Sequence, residues 1–505
     1  MTATDHRRHG HGHASVPQTI ANMAKTCMGT GCLALPFAAK QSGILLHVFG
    51  LVAVALWNTI TVQLLCSCYD LTMSDISSTL GLAPESDEPF SESSGKLLKR
   101  PQHTGKSYGS TSTNHLYNEK DTEAHLSMDT ESHSLSERAP PSGTTTLGKL
   151  AWYAWGRSGT YSLDLVMVLY LVGVIVTYLN AMRSFLRDTP FSTGVRILDS
   201  LFLVIVMATI SLVPHTGYLS RASVLGLAVL LATFLVIAWY GFTDAQNDDN
   251  LPIDSRWDEM AEDSKLSETV IHRIVVNTTV VSANGRGIWL PINGFASVSK
   301  WFGCVVFGFG VTPLTFSFRE AMEVPRNLLW ATQWAMVVVG VSYATIGVGL
   351  LLLYPNIEGD VLHELPTRGW LPILTRLAMV VVVLMTAPLL IVPRGEIIEK
   401  RLLALHDHAP LSAKNAWYLH VTIRWSICLV CAVISAMVPG FVDVLSFVGC
   451  CCVAVVGFCL PPLLHLILSW QRGVPISSLG FDLALLLWGL FATAVSTIYT
   501  YREIS

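Results

Sequence analysis

The chain has 505 residues, of which 51% are hydrophobic and only 13% are charged, and its mean hydropathy is +0.49. Soluble domains carry about twice that share of charge. The composition therefore excludes an ordinary soluble protein and indicates one that crosses a membrane many times. A formal net charge of −4 excludes the basic surface that nucleic-acid binding requires.

Eleven apolar runs follow one another along the chain. Each approaches or exceeds the roughly 20 residues that a helix needs to cross a bilayer, and all are too long for the strands of a membrane barrel. We therefore predict an all-α integral membrane protein with eleven transmembrane helices. The runs lie near residues 18–39, 44–70, 161–186, 196–213, 220–242, 296–318, 328–354, 370–393, 417–438, 442–470 and 479–501.

Two hydrophilic segments separate these runs. The first is rich in Ser, Thr, Glu and Lys and has too few apolar side chains to fold alone, which predicts a disordered loop. The second is acidic. The predicted divisions are a cytoplasmic tail at 1–17, helices one and two at 18–71, a disordered cytoplasmic loop at 72–148, helices three to five at 149–243, an exterior or luminal acidic loop at 244–295 and helices six to eleven at 296–505.

Charge distribution predicts a cytoplasmic N-terminus, because Lys and Arg are then more abundant in the inner segments. The sequon at Asn277 agrees, since this orientation places it outside the cytoplasm, where it can be glycosylated. The sequence leaves open whether the membrane is the plasma membrane or a vacuolar or lysosomal one. The tail histidines His6, His9, His11 and His13 lack a fixed ligand geometry, so we expect neither a metal nor a cofactor.

Glycine interrupts the first and sixth runs in the same relative place. The first reads KTCMGTGCLALP from Lys25 and the sixth reads FGFGVTP from Phe307. Matched interruptions in the two halves of a transporter mark its binding site, because unwound backbone at membrane depth must face water, an ion or a substrate. The predicted substrate-binding residues are Cys27, Met28, Gly29, Thr30, Gly31, Phe307, Gly308, Phe309 and Gly310.

The alternative for these glycines is close helix packing. The spacing of two residues, Gly29 with Gly31 and Gly308 with Gly310, does not put both glycines on one helix face and therefore favours unwinding. We also expect the first pair to adopt backbone conformations that are closed to bulky residues.

Several motifs resemble the amino-acid/auxin permease superfamily. TCMGTGCLALPFAAKQSG is similar to its first-helix signature, and VPGFVDVLSFVGCCCVAVVGFCLPPLLHL, from Val438, is similar to its tenth-span signature. FGFGVTPLTFSFREAMEVP resembles the broken sixth span, and TLGKLAWYAWGRSG resembles the segment before span three. The resemblance covers most of the chain outside the two long loops.

This resemblance implies the neurotransmitter-symporter fold, with a five-plus-five inverted repeat and broken helices one and six. It also implies secondary transport of amino acids by alternating access. Lys25 matches a lysine of the proton-coupled amino-acid transporters, although Gly310 stands where those proteins carry an acidic residue and Cys27 where they carry asparagine. By the same resemblance, Thr386 lies in the region that lines the ion site.

The expected partners are an amino-acid substrate, a coupling ion and the lipid bilayer. We favour a proton over sodium because of the positive charge of Lys25. A fixed positive charge 4 Å from a sodium ion disfavours sodium binding by about 4 kcal/mol at an effective dielectric constant near 20. Two alternatives stay open: a sodium-coupled neutral amino-acid transporter, and an amino-acid sensor that signals through the 72–148 loop. A membrane-embedded enzyme is disfavoured, because the spans contain no metal-spaced histidines and no protease-like constellation.

The predicted sidedness can be tested by glycosylation. Asn277→Gln should increase the mobility of the protein on a gel with little loss of uptake, because it removes only a glycan from an exterior loop. Cleavage of the 72–148 loop by a protease added outside sealed cells would show that the orientation is inverted.

Overall fold

The computed structural model describes residues 14–79, 144–212, 216–248, 289–405, 413–438, 440–475 and 479–504. Two compact units divide the chain, Met1–Tyr69 with Thr145–Ser505, and Asp70–Thr144. Asn277, the four tail histidines and nearly all of the 72–148 loop lie outside the described residues, so the predictions made for them stay predictions.

The described residues are organised almost entirely as helices. We number the α-helices in chain order; short 3₁₀ or π-helical turns join several of them. The α-helices are α1 (Val16–Cys27), α2 (Leu35–Thr79), α3 (Thr146–Arg187), α4 (Arg196–Ser211), α5 (Thr216–Asp248), α6 (Phe295–Gly308), α7 (Thr315–Ala321), α8 (Leu328–Leu353), α9 (Trp370–Leu405), α10 (Ala413–Met437), α11 (Phe441–Val448), α12 (Leu460–Gln471) and α13 (Gly480–Ile504).

Nine stretches of the described residues are long and apolar enough to cross a membrane. The sequence predicted eleven spans, and two features account for the difference. Predicted spans one and two follow each other at Gly43 without a loop between them and therefore count as one apolar stretch, Thr30–Ser74. Helix α4, which corresponds to predicted span four, has only 16 residues.

A bend at Gly43 divides the long helix α2. Its φ of +75° lies in a region that is costly for residues with a Cβ atom. A Cβ here would also lie 2.5 Å from the Trp289 carbonyl oxygen. The bend falls one residue before the predicted start of span two, so the chain changes direction where the sequence predicted a new helix.

Helices α6 and α11 make the closest backbone contact in this part of the bundle. A Cβ on Gly303 would collide with the carbonyl of Ser446, and one on Gly449 would collide with the carbonyl of Gly303. Small residues allow such contacts between membrane helices. Gly303 and Gly449, which lie outside the helix interruptions, therefore have a packing role.

Polar contacts identify the two ends of the bundle. At one end, the Ala14 amide donates to the Ala321 carbonyl, and we call this the N-terminal face. At the opposite face, the Lys300 ammonium lies 3.4 Å from Asp443 and 2.7 Å from Glu503. These pairs join the start of α6, the start of α11 and the end of α13.

Candidate functional site

The first helix is interrupted where the sequence predicted. Helix α1 ends at Cys27, Met28 has a ψ of 70°, and helical structure restarts as a 3₁₀ turn at Thr30–Ala34. Gly29 has φ −110° and ψ −153°, which is extended backbone open to any residue. The expectation that Gly29 needs a conformation closed to bulky side chains is therefore wrong.

The second interruption lies in the predicted sixth span. Helix α6 ends at Gly308, a 3₁₀ turn covers Thr312–Leu314, and α7 follows directly. A Cβ on Gly31 would lie 3.4 Å from the Phe307 ring and 3.6 Å from the Gly308 Cα, so the two interruptions are in contact.

One buried hydroxyl joins the ends of the two broken helices. The Tyr343 hydroxyl, on α8, lies 2.7 Å from the Cys27 carbonyl oxygen and 3.0 Å from the Gly308 carbonyl oxygen. Carbonyls at a helix C-terminus have no partner within the helix. The Cys27 carbonyl accepts from the Gly29 amide at 2.8 Å as well as from Tyr343. The sequence analysis missed Tyr343, whose only signal is a polar aromatic residue in a long apolar run.

A second tether holds the sixth-helix interruption. The Thr312 hydroxyl donates to the Asn58 side-chain oxygen at 3.2 Å, and both residues are buried. Asn58 in turn donates to the Val54 carbonyl within α2. The interruption is thus fixed to α2 as well as to α8.

The two interruptions line a cavity of about 440 Å³. Helices α3, α5 and α9 supply much of the remaining wall. Of the residues that line it, only Lys25 carries a formal charge, and this residue is half-buried. Much of the wall is apolar and includes Val174, Leu227, Leu230, Met379, Val383 and Val453.

The cavity brings together most of the residues predicted for the site. Lys25 and Thr386, the two candidate ion-coupling residues, both line it. The Thr386 hydroxyl donates to the Val382 carbonyl of its own helix at 2.7 Å, as threonines inside helices commonly do. The predicted substrate-binding residues that line the cavity are Cys27, Met28, Gly29, Thr30, Gly31, Phe307, Gly308 and Gly310.

Phe309 is the exception. It is absent from the cavity lining, and its ring packs edge-on against Tyr343 with 5.1 Å between the ring centroids. A fully buried apolar ring gains more from this contact than from facing a polar break. Phe309 therefore supports the site from behind and does not line it, which corrects the prediction.

Thr30 contributes a polar atom that has no partner. Its hydroxyl is buried at the edge of the first interruption and makes no hydrogen bond to the described residues, although the residue lines the cavity. A buried hydroxyl without a partner is costly. Ligand or water bound in the cavity can satisfy it, which makes Thr30 the strongest single indication of a binding site.

The cavity extends toward the N-terminal face of the bundle. Asn22 and Thr26 on α1, and Ser317 and Ala321 on α7, line this part and are exposed. Tyr170 and Tyr178 of α3 line the cavity as well.

Side-chain contacts join the elements at the opposite face. The Ser184 hydroxyl donates to Asp360 at 2.7 Å, and a ring nitrogen of His363 lies 2.9 Å from Asp188. The guanidinium of Arg376 is almost fully buried and donates to the carbonyls of Leu362, Leu365 and Pro366. These bonds tie α3 and α9 to the connection between α8 and α9.

Comparison with known proteins identifies the class of this bundle. The chain belongs to the family described as transmembrane amino acid transporter protein, whose model matches residues 12–78 and 140–502. This result confirms the resemblance that the motifs suggested. Members of the family are transporters and not enzymes, in agreement with the exclusion drawn from the sequence.

Three relatives share 22–27% sequence identity with this chain over the matched residues. Amino acid transporter AVT3A of Arabidopsis thaliana is 27% identical over 237 residues, which cover 46% of this chain and 52% of that protein. AVT3C of the same plant is 23% identical over 219 residues, 42% of this chain and 48% of that protein. These matches span only about half the length of each relative. Amino acid transporter ANT1, also from Arabidopsis thaliana, is 22% identical over 505 residues, 96% of this chain and 94% of that protein.

Two glycine substitutions should separate close packing from ligand access. A Cβ on Gly308 would lie 2.8 Å from the Tyr343 hydroxyl, whereas one on Gly29 has nothing within 4 Å. Gly308→Ala should lower stability by about 1–3 kcal/mol, the usual effect of overpacking, and abolish most uptake. Gly29→Ala should fold normally. Thermal unfolding in detergent and uptake in vesicles measure the two effects, and equal stability of both variants would contradict the geometry.

Proposed function

We propose that this protein moves amino acids across a membrane by alternating access, with the amino acid bound between the two helix interruptions. The observation that carries the proposal is the unpartnered Thr30 hydroxyl in the cavity that these interruptions line. Family membership and the transporter names of the relatives support it.

The site has complementary poles for the two charges of an amino acid. Thr30 begins a helical stretch that continues into α2, so its end carries a partial positive charge that favours a carboxylate. Helices α1 and α6 end at the cavity, and the partial negative charge of their C-terminal turns favours an ammonium group, although their last carbonyls are held by Tyr343. A zwitterion can therefore bind without a buried pair of charged side chains.

The wall of the cavity favours amino acids whose side chains are uncharged. It contains no carboxylate among its lining residues, and Lys25 is its only formal charge. A cationic amino acid would leave its side-chain charge without a counter-ion, and a buried charge without a partner is costly. Small and apolar neutral amino acids are therefore the proposed substrates.

Alternating access requires the site to face one side at a time. The cavity reaches the N-terminal face, while Ser184, Asp360, Asp188 and His363 bond to one another at the opposite face. With a cytoplasmic N-terminus, as the charge distribution indicates, this arrangement corresponds to an inward-facing state.

An uptake panel tests the proposed function. The full-length chain in proteoliposomes should accumulate small neutral amino acids in preference to lysine, arginine, aspartate and glutamate. The Thr30→Val variant keeps the shape of the side chain but removes the hydroxyl, and it should bind the preferred substrate about tenfold more weakly. No accumulation of any amino acid would contradict the proposal.

Proton coupling is the second part of the proposal, and it rests on Lys25. The ammonium group lies on the last turn of α1 and lines the cavity, so it can exchange a proton with the aqueous phase that fills this space. Uptake should persist when choline replaces sodium, and it should rise when the exterior or luminal side is acidified, because protons then enter together with the substrate.

Substitutions at Lys25 test this role directly. Lys25→Met should abolish the increase in uptake on acidification while the protein still reaches its membrane. Lys25→Arg is the matched control for charge, because a guanidinium keeps its proton at every relevant pH, and it should lose the same response. A strict sodium requirement, or an unchanged pH response in Lys25→Met, would remove Lys25 from the coupling mechanism.

A further inference from the structure

Two helix ends meet at the Tyr343 hydroxyl. The last carbonyls of α1 and α6, at Cys27 and Gly308, lie 2.7 Å and 3.0 Å from it. Helix C-termini carry partial negative charge, and in broken-helix transporters such carbonyls coordinate sodium. In this protein the oxygen atoms that would form such a site already share a hydrogen-bond donor.

We propose that the Tyr343 hydroxyl takes the place of a metal cation between the two interruptions, so that amino-acid binding needs neither sodium nor potassium. The inference rests on the proposed amino-acid site and specifies how that site is held together. Tyr343 is a positioning residue, because it does not line the cavity and acts through the two carbonyls.

The surroundings of Tyr343 fix its hydroxyl in this position. The side chain is fully buried, and Phe309 packs edge-on against its ring. The hydroxyl approaches the end of α6 this closely only because residue 308 is glycine, since a Cβ there would lie 2.8 Å from the tyrosine oxygen. The donor is thus part of the packed fold and does not depend on a ligand for its position.

A metal ion at the same point would have to displace this donor. The hydroxyl would then be left with a weaker acceptor, the Cys32 sulfur, and the ion would also be repelled by Lys25 in the adjoining cavity. The hydroxyl supplies only one proton and no net charge. Its single proton is shared between the two carbonyls, so it offsets part of the negative charge of the helix ends without adding a second cation to the site.

The test measures amino-acid affinity in different salts. The purified full-length protein is titrated with the amino acid preferred in the uptake panel, in choline chloride and then in sodium, lithium or potassium chloride. The wild-type dissociation constant should agree among the four salts within about twofold. Tyr343→Phe should weaken binding about tenfold, and sodium or lithium should then restore part of the affinity by occupying the vacated carbonyls.

Tyr354→Phe is the matched control. Tyr354 immediately follows α8, is also buried, and donates its hydroxyl to a backbone carbonyl, that of Ile237 at 2.8 Å. It makes this bond away from the interruptions. The variant should keep the wild-type affinity and remain insensitive to salt, although its stability falls by a similar amount.

Three results would overturn the proposal: a wild-type affinity that depends on sodium, a Tyr343→Phe variant with wild-type affinity, and a weakened variant that no cation improves. If Tyr343→Phe does not fold, the comparison of salts on the wild type still shows whether amino-acid binding needs a metal cation. If the wild type binds no amino acid in any salt, the proposed function fails as well, and this outcome is distinct from sodium-dependent binding.

Discussion

Backbone polar groups released inside a membrane have no water to bond with, and each must find another partner. The two interruptions of this bundle release such groups at Cys27–Thr30 and at Gly308–Thr312. Tyr343 from α8 satisfies part of this demand, and Asn58 from α2 holds the second interruption through the Thr312 side chain. What they leave faces the cavity, so the same constraint that fixes the broken helices also creates a place for a polar ligand.

The distribution of polar contacts along the bundle is uneven. At the opposite face, charged and hydroxyl side chains join α3, α9 and the connection before α9, and the buried Arg376 donates to three carbonyls there. Hydrogen bonds to charged groups contribute about 1.5–3 kcal/mol each. At the N-terminal face the cavity lies open beside α1 and α7. In the proposed transport cycle, the contacts at the opposite face would break and the cavity would close at the N-terminal face.

The positions of the interruptions could be predicted from sequence because glycine pairs and nearby prolines act locally. Gly29 and Gly308 identify the broken segments from the sequence alone, without information on which residues contact them. Their contacts could not be predicted in the same way. Tyr343 lies hundreds of residues from Cys27, and nothing in its own span distinguishes it from a packing tyrosine. The placement of Phe309 behind the cavity wall also depends on Tyr343, which explains why the sequence analysis assigned Phe309 to the ligand.

Counting spans from sequence is less reliable where helices join or are short. Apolar runs on either side of Gly43 predict two helices, and the non-helical backbone of Gly43 does separate them, but no loop lies between them and they count as one apolar stretch. Predicted span four is a helix of 16 residues, short for a bilayer crossing. In both cases composition identified apolar chain correctly, but the boundaries depend on backbone geometry that composition does not determine.

The central claim is that the substrate occupies the space between the two interruptions. An electron cryomicroscopy structure of the full chain in lipid nanodiscs, with the preferred amino acid bound, tests it most directly. We expect ligand density between Thr30 and Phe307, with the carboxylate at the Thr30 hydroxyl and the Tyr343 hydroxyl still on its two carbonyls. Ligand density confined to the opposite face beside Ser184 and Asp360, or a metal ion between the Cys27 and Gly308 carbonyls, would contradict this position of the substrate.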